Sequence, residues 1–406
     1  MQGAGRGEGV SLILLTTLGA GDYHEATYCW KDYPPHSTKL VSAALAQWFP
    51  EAEIKVLVTP LAVKKNGALL HELLPQHQPL PIANGETEED SWNLFQTVAD
   101  AIPEDAEVIF DVTHGFRSLP VVTLLALSYL RIVKKVSLRA VVYGAWQPGQ
   151  ETTPIFDLTA FVALLDWAQA AEQFLRTGDA RPMTTLMSTP DVESLQDLKE
   201  PLEHISASLA FQRPIQTARN AQQLRKQIAK VKKQKLQHPV MSLMLDHIED
   251  RFSGIAHGDD AFKDRHQQVI KSQYAQLRFY VRGGQYAQAI ELAYEWMRSL
   301  QMWKLGRPQG QGLWLDAKRL KPDAMAQSDF KPMELWNEFF RVQEQVRLLR
   351  NAFAHFNEYK KEFNEELADP SALAQQVEHI ILSLLPAAVR PLGLELEPPT
   401  AAEAKA

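Results

Sequence analysis

Three residues near the C-terminus have the chemical types and the spacing of a site that could act on a phosphodiester. They are Arg350, Asn351 and His355, inside a long helical pattern. Because an α-helix turns by about 100° per residue, Asn351 and His355 project from nearly the same face, and Arg350 lies on its flank. An imidazole with an ordinary pKa of about 6.5 can serve as a general acid or base at neutral pH. The guanidinium could stabilise a dianionic phosphorane, and the asparagine could orient the scissile phosphate.

The same spacing also has a structural interpretation. The chain contains 12 histidines, so an arginine five positions before one of them occurs by chance in about half of such sequences. When the pattern is considered alone, a solvated helix with an ordinary histidine is the favoured interpretation. A similar pair, Arg251 and His257, has one more intervening residue and a glycine, and helical phase places its side chains on different sides. We interpret that pair as structural.

Polar side chains and a glycine follow an apolar run in the N-terminal half. In chain order they are Asp111, Thr113, His114, Gly115 and Arg117. Ser118 is a plausible N-cap for the helix that follows, and the N-terminus of a helix attracts phosphate through its exposed N–H groups and its dipole. The arginine would add a fixed positive charge. A phosphate or nucleotide site and a capped strand-to-helix turn with a buried Asp–Thr network explain this spacing equally well.

A second loop with glycines follows the first apolar run. Gly19 and Gly21 can let the backbone approach a phosphate or a base, and Tyr23 lies two residues further on. A dinucleotide-binding fingerprint needs a third glycine, and this chain has His24 at the matching position. A Rossmann dehydrogenase is therefore disfavoured.

The elements that must position these loops alternate between strand and helix. Apolar runs without polar alternation, which are typical of parallel strands buried on both faces, occur at Val10–Thr16, Ile54–Thr59, Glu107–Val112 and Leu138–Tyr143. Helical patterns lie between them at Ser37–Trp48, Ser91–Ala101 and Ser118–Val133. This alternation predicts a Rossmann-like α/β domain with a mostly parallel sheet. Both polar loops then fall at the carboxyl ends of strands, where such sheets bind ligands.

Helical periodicity replaces the strand signal in the second half of the chain. Phe161–Arg176 is predicted to be a helix and Thr177–Pro190 a loop, and helical patterns then continue to Leu385. We expect four parts, which are an α/β domain over 1–165, a helical connecting region over 166–275, an all-α domain over 276–390 and a disordered tail over 391–406.

Composition limits the classes of function. A net charge of −7 argues against a protein that coats nucleic acid, without excluding a local nucleic-acid cleft. The single cysteine, Cys29, excludes an intramolecular disulfide framework and a cysteine-rich zinc site. No cluster of two histidines and a carboxylate has the spacing of metal ligands. The N-terminus lacks a signal-peptide pattern, and the apolar stretch Leu119–Leu130 is too short to span a membrane, so we expect a buried helix there and a cytoplasmic protein.

The first 175 residues resemble a known family in four places, in the same order. Asp111–Pro120 resembles the signature of the DxTHG group of CRISPR-associated proteins. Further segments that resemble that group are Leu18–Tyr23 followed by Tyr28, Tyr143–Ala145 and Asp157–Thr159. The N-terminal domain of the group is a CARF domain, which binds cyclic oligoadenylates. The resemblance implies a pocket built from Gly19, Gly21, Tyr23, Asp111, Thr113, His114, Gly115 and Arg117.

The motif from Arg350 to His355 resembles that of HEPN ribonucleases, in which arginine and histidine from two subunits form one composite site. Together the two resemblances imply a CARF–HEPN ancillary ribonuclease, in which a cyclic oligoadenylate activates the cleavage of single-stranded RNA. RNA supplies its own nucleophile, the 2′-hydroxyl, so no metal or other cofactor is expected. The products would carry a 2′,3′-cyclic phosphate and a 5′-hydroxyl. The partners would be the activator, the RNA and at least one further copy of the chain, without a membrane.

Two alternatives remain open on the sequence. The N-terminal domain could itself degrade the cyclic oligoadenylate, as a ring nuclease, with Thr113, His114 and Arg117 supporting that chemistry. The chain could also be a nonenzymatic nucleotide sensor or transcription regulator. The second alternative needs a recognition helix on a basic domain, and this acidic chain offers no clear one.

Overall fold

The computed structural model divides the chain into two compact units, Met1–Leu165 and Asp166–Ala406. The predicted end of the α/β domain, at residue 165, coincides with this division. The further boundary expected at residue 275 stays a prediction. The residues that the structure describes are 10–115, 118–188, 195–233, 240–258, 266–305, 329–355 and 369–396.

The first unit is built on one sheet of eight strands. Its strands are β1 (Leu12–Leu18), β2 (Ala26–Cys29), β3 (His36–Thr38), β4 (Glu53–Val58), β5 (Gln78–Pro81), β6 (Glu107–Asp111), β7 (Ser137–Gly144) and β8 (Thr153–Asp157). The spatial order is β3-β2-β8-β7-β6-β1-β4-β5. Five strands, β7-β6-β1-β4-β5 in spatial order, are parallel to one another. Strands β2 and β8 also pair in parallel, whereas the pairs β7–β8 and β2–β3 are antiparallel. The predicted mostly parallel sheet is confirmed.

Helices cover both faces of this sheet. Their bounds in the first unit are α1 (Val41–Trp48), α2 (Pro60–Leu73), α3 (Glu88–Ala101) and α4 (Ser118–Val133). Successive side chains of a strand point to opposite faces, so Ile13 of β1 joins the core beneath α3 and α4, while Leu14 joins the core beneath α1. Burial on both faces is the reason that β1 reads as a continuous apolar run.

Several local predictions need correction. The helix predicted over Ser37–Trp48 begins only at Val41, because residues 36–38 pair with β2 as an edge strand. The helix predicted from Ser91 begins at Glu88, where Thr87 forms a capping box. The helix α4, expected to be buried, is buried on one face only and exposes apolar residues on the other.

The described residues of the second unit form helices joined by turns. Its helices are α5 (Thr159–Thr177), α6 (Arg181–Leu186), α7 (Lys199–Ala210), α8 (Pro214–Lys233), α9 (Val240–Arg251), α10 (His266–Arg282), α11 (Tyr286–Lys304), α12 (Asn337–His355), α13 (Pro370–His379) and α14 (Leu385–Val389). The first helix, α5, crosses the division between the units. The predicted helical second half and the helix predicted over Phe161–Arg176 are confirmed. The predicted loop Thr177–Pro190 is wrong in part, because it contains α6 with Pro182 in its first turn.

One helical segment in the described part of the chain, Pro370–Leu392, is long and apolar enough to cross a membrane by length and composition. About 33% of its apolar stretch is buried in the helical unit, and Val377, Ile380, Leu385 and Val389 are fully buried there. One face of the segment therefore packs in the core of that unit.

Candidate functional site

Two loops of the first unit meet at the carboxyl edge of the sheet. Strands β1 and β6 are parallel neighbours, with Leu15 opposite Phe110, so the loops that follow them leave the sheet side by side. Between the loops lies a cavity of about 370 Å³, which we call the sensor pocket. The predicted residues that line it are Gly19, Gly21, Tyr23, Thr113, His114 and Gly115. The structure thus brings six of the eight predicted ligand-binding residues together.

Asp111, another predicted residue, supports the pocket from beneath. Its carboxylate is fully buried and accepts hydrogen bonds from Thr16 Oγ1 at 2.8 Å and from the backbone N–H of Thr113 at 2.9 Å. Since it is not among the lining residues, its contribution is to hold the second loop in place. Arg117, the eighth predicted residue, lies outside the described residues.

The second loop is tied to a neighbouring strand and has a backbone that suits glycine. Thr113 Oγ1 accepts a hydrogen bond from the N–H of Gly144 at 2.8 Å, which joins the loop to the end of β7. Gly115 has a φ of +127°, and a Cβ there would lie 3.0 Å from Thr17 Cγ2. Another residue at this position would be strained by both its backbone angle and this contact.

Tyr23 closes the first loop onto the second. Its hydroxyl accepts a hydrogen bond from the N–H of Gly19 at 2.8 Å, and its ring packs edge-on against the ring of His114 with the centroids 4.7 Å apart. Burial raises the pKa of Tyr23 to about 12, so the phenol is neutral at physiological pH. It therefore offers a ligand no negative charge.

His114 is one of the polar side chains of the pocket, and one of its ring nitrogens has an unused hydrogen-bonding capacity. Its Nε2 is buried and has no hydrogen-bond partner among the described residues. Burial lowers the pKa of His114 below 6.5, although the nearby carboxylate of Asp111 acts in the opposite direction. The ring is thus neutral at pH 7, and can donate or accept one hydrogen bond but cannot neutralise a phosphate.

Asn66 belongs to this site and was not predicted from the sequence. Its Nδ2 donates hydrogen bonds to the carbonyl oxygens of Gly19 and Gly21, both at 2.9 Å, and so holds the first loop against α2. Nothing in the local sequence marks this residue, because its partners lie more than forty positions away.

Arg350 lies in a second cavity, formed within the helical unit by the start of α8 with α10, α11 and α12. This cavity, which we call the helical pocket, has a volume of about 550 Å³, and its lining includes Arg213, Arg219, Gln273, Glu291, Trp296 and Arg350. The guanidinium of Arg350 lies 5.6 Å from the ring centre of Tyr294, and its Nη1 donates to Oδ1 of Asn351 at 3.4 Å. The hydrogen bond joins Arg350 and Asn351, two of the three predicted catalytic residues.

His355 is the last residue of α12, and its side chain lies outside the described residues. The apolar stripe of the same helix is buried as its period predicts, and includes Phe339, Val342, Val346 and Leu349. The backbone therefore keeps His355 on the same helix as Arg350 and one turn after Asn351, at helical i,i+4 spacing.

The pair interpreted as structural has structural contacts. Arg251 Nε donates to the carbonyl of Leu175 at 3.1 Å, and its guanidinium lies 4.8 Å from the ring centre of Phe279. His257 is buried. Among the described residues, no three side chains of histidine, cysteine, aspartate or glutamate are grouped as metal ligands would be.

The helical unit is similar to part of a known protein. Residues 163–256 match the family model described as CRISPR-associated protein MJ1674, second domain. A curated relative, CRISPR-associated protein MJ1674 of Methanocaldococcus jannaschii, is 25% identical over 121 residues, which are 29% of this chain and 19% of the relative. The similarity thus spans about a fifth of that relative's length. The family-model match includes Arg213 and Arg219 of the helical pocket and ends before α10.

Proposed function

We propose that this chain is an endoribonuclease of CRISPR antiviral defence, activated by a cyclic oligoadenylate, that cleaves single-stranded RNA without a metal. The observation that carries the proposal is the position of Arg350, which lines a cavity of about 550 Å³ in the helical unit, within the usual range of ligand pockets. The similarity of residues 163–256 to a CRISPR-associated protein supports the cellular role, which we place in the cytoplasm.

The chemistry uses groups on α12 and one group of the substrate. The 2′-hydroxyl oxygen attacks the adjacent phosphorus, the bond from phosphorus to the 5′ oxygen breaks, and a 2′,3′-cyclic phosphate and a 5′-hydroxyl result. His355 takes the proton from the nucleophile or gives one to the leaving oxygen. Arg350 stabilises the phosphorane, and its hydrogen bond to Asn351 Oδ1 restrains the guanidinium for this task.

The sensor pocket supplies the site for the activator. Its two glycine-containing loops expose backbone to the cavity. Among its lining side chains Tyr23 and His114 are neutral, and Asp22 is the acidic residue. Arg117 is the residue proposed to meet the ligand's phosphates. The activator must bind the cutting state more tightly than the resting state, because a ligand with equal affinity for both states switches neither.

A fluorescent-RNA cleavage assay with a panel of cyclic oligoadenylates tests the proposal. We expect His355→Ala and Arg350→Ala each to lower the activated rate by about 100-fold or more, since a general acid–base group or an oxyanion donor contributes at least that much. Activator affinity should stay unchanged. Arg347→Ala is the matched control, because Arg347 lies on the same helix in an exposed ion pair with Glu344. Full activity of the His355 variant would refute the catalytic assignment.

A ring-nuclease activity in the sensor pocket is the second candidate. It is favoured by the open Nε2 of His114, a neutral imidazole that lines the pocket and can exchange a proton. Chromatography of the activator after long incubation separates the two functions. Loss of the intact ring in wild type, and its persistence with His114→Ala, would support degradation.

A further inference from the structure

The helical pocket contains a buried amide whose hydrogen-bonding capacity is not used. Gln273 of α10 lines the cavity and is only 2% exposed. Its Oε1 is buried and accepts no hydrogen bond within the described residues. Most buried polar groups in proteins are paired, so an unpaired acceptor in a cavity wall is available to a donor that a ligand brings.

The rest of the lining combines three kinds of surface. Arg213, Arg219 and Arg350 contribute positive charge, and Glu291 and Glu295 are the acidic residues of the lining. Glu291 accepts a hydrogen bond from Gln212 Nε2 at 3.0 Å. The fully buried Trp296 supplies an apolar wall. A molecule that matches this lining has an anionic end, a flat apolar body and N–H donors at its edge. A nucleotide has all three.

We propose that the helical pocket holds the nucleobase next to the scissile phosphate, and that Gln273 Oε1 accepts a hydrogen bond from the exocyclic amino group of adenine or cytosine. Guanine and uracil carry a carbonyl oxygen at the corresponding position, which would face the amide oxygen without a proton between them. Gln273 is a specificity residue in this scheme, and Arg350 is the neighbouring phosphate ligand. The inference rests on the proposed ribonuclease function for its link to cleavage.

Four reporter RNAs that differ only in the base beside the cut test this directly. We expect wild type to cleave the adenine and cytosine reporters about tenfold faster, in kcat/KM, than the guanine and uracil reporters, as one hydrogen bond discriminates between bases by this order. Gln273→Leu should reduce the ratio to near one and retain cleavage, because Leu fills a similar volume and accepts nothing. An unchanged ratio in the variant, or equal rates in wild type, would overturn the assignment.

Gln276→Leu is the matched control. Gln276 lies on the same helix, is equally buried and also has an unpaired Oε1, but its Nε2 donates to the carbonyl of Pro214 and it does not line the pocket. This variant should keep the preference of wild type. Thermal unfolding of both variants identifies any loss that comes from misfolding, and Gln273→Met then serves as the alternative substitution.

Titration calorimetry with mononucleotides separates this inference from the ribonuclease proposal. The full-length chain should bind AMP and CMP about tenfold more tightly than GMP and UMP, and Gln273→Leu should remove the difference. If no RNA is cleaved but this preference is present, the ribonuclease proposal fails and base recognition stands. If RNA is cleaved and neither assay shows a preference that depends on Gln273, base recognition fails and the ribonuclease proposal stands.

Discussion

Asp111, beneath the sensor pocket, and His114, in its wall, have different surroundings and therefore different roles. Asp111 has two donors, Thr16 on Oδ2 and the Thr113 backbone on Oδ1, so each carboxylate oxygen is hydrogen-bonded inside the protein. His114 has an Nε2 without a partner and a pKa that burial keeps below its usual value. Asp111 is therefore suited to holding the loop in place, and His114 is suited to binding a ligand.

The lowered pKa of His114 predicts how the free energy of unfolding depends on pH. The unfolded chain binds a proton at His114 near pH 6.5, whereas the folded chain binds it only at lower pH, so the unfolded state carries more protons in that interval. Stability linked to His114 is therefore fully present above pH 6.5 and is lost as the pH falls through the folded-state pKa. His114→Gln should show a shallower loss of stability than wild type, measured by urea unfolding between pH 5 and pH 7.5.

His71→Gln is the control for this measurement. His71 is exposed on α2, so this variant shows what the loss of a histidine outside the pocket does to the same measurement. If the curves of wild type and His114→Gln had the same slope below pH 6.5, the neutral state assigned to His114 would be wrong. The proposal that the neutral ring of His114 forms a hydrogen bond with an activator would then lose its support.

At the scale of elements, α4 is apolar on the face that it turns away from the sheet. Val121, Leu125, Tyr129 and Ile132 recur at steps of four, four and three, and their exposed fractions lie between 51% and 73%. Such a stripe is typical of a helix that packs on both sides. Because α4 begins directly after the second pocket loop, a second copy of the chain bound to this stripe would lie beside the sensor pocket.

We predict that Leu125→Glu converts a homodimer into a monomer, because a carboxylate would lose its hydration in an apolar interface. Light scattering coupled to size exclusion, over a range of concentrations, measures the change. Leu243→Glu is the control, since Leu243 is also exposed but lies on α9 of the helical unit. A wild-type monomer at every concentration, or a dimer that persists in the Leu125 variant, would exclude this stripe as the interface.

At the scale of the whole molecule, sensing and cleavage are assigned to different units of the chain. The sensor pocket lies within Met1–Leu165 and the helical pocket within Asp166–Ala406. Activation is then a coupling free energy between two sites, and coupling between binding events is reciprocal. Occupation of the helical pocket by an uncleavable RNA should consequently tighten activator binding by the factor by which the activator tightens RNA binding.

The proposed mechanism gives proton transfer to His355 and charge stabilisation to Arg350, and the nucleophile comes from the RNA. We therefore predict that excess EDTA leaves the activated cleavage rate within about twofold of its value without chelator. The measurement is the rate of fluorescent-RNA cleavage at fixed ionic strength, because salt by itself weakens protein–RNA contacts. A loss that added Mg²⁺ or Mn²⁺ restores would show that the chemistry needs a metal.

Much of the fold could be predicted from local sequence because a strand that is buried on both faces is apolar at most of its positions. The runs containing β1, β4, β6 and β7 are apolar at most of their positions, with charged exceptions such as Lys55 and Arg139, and this pattern is typical of parallel strands buried on both faces. The sequence does not predict β2, β3, β5 and β8, since strands of three to five residues with mixed polarity resemble loops. The exposed face of α4 was missed because an apolar sequence does not say what covers it.

The sequence by itself determined the α/β-then-helical architecture and the positions of two polar loops at strand ends, since these depend on the period of apolar residues and on glycine. The tertiary structure decided which residues build the pockets. Asn66 reaches the first loop, Gly144 donates to Thr113, and Gln273 lies in the same cavity wall as Arg350. Each of these relations joins residues far apart in the chain, so it is created by packing and leaves no local pattern.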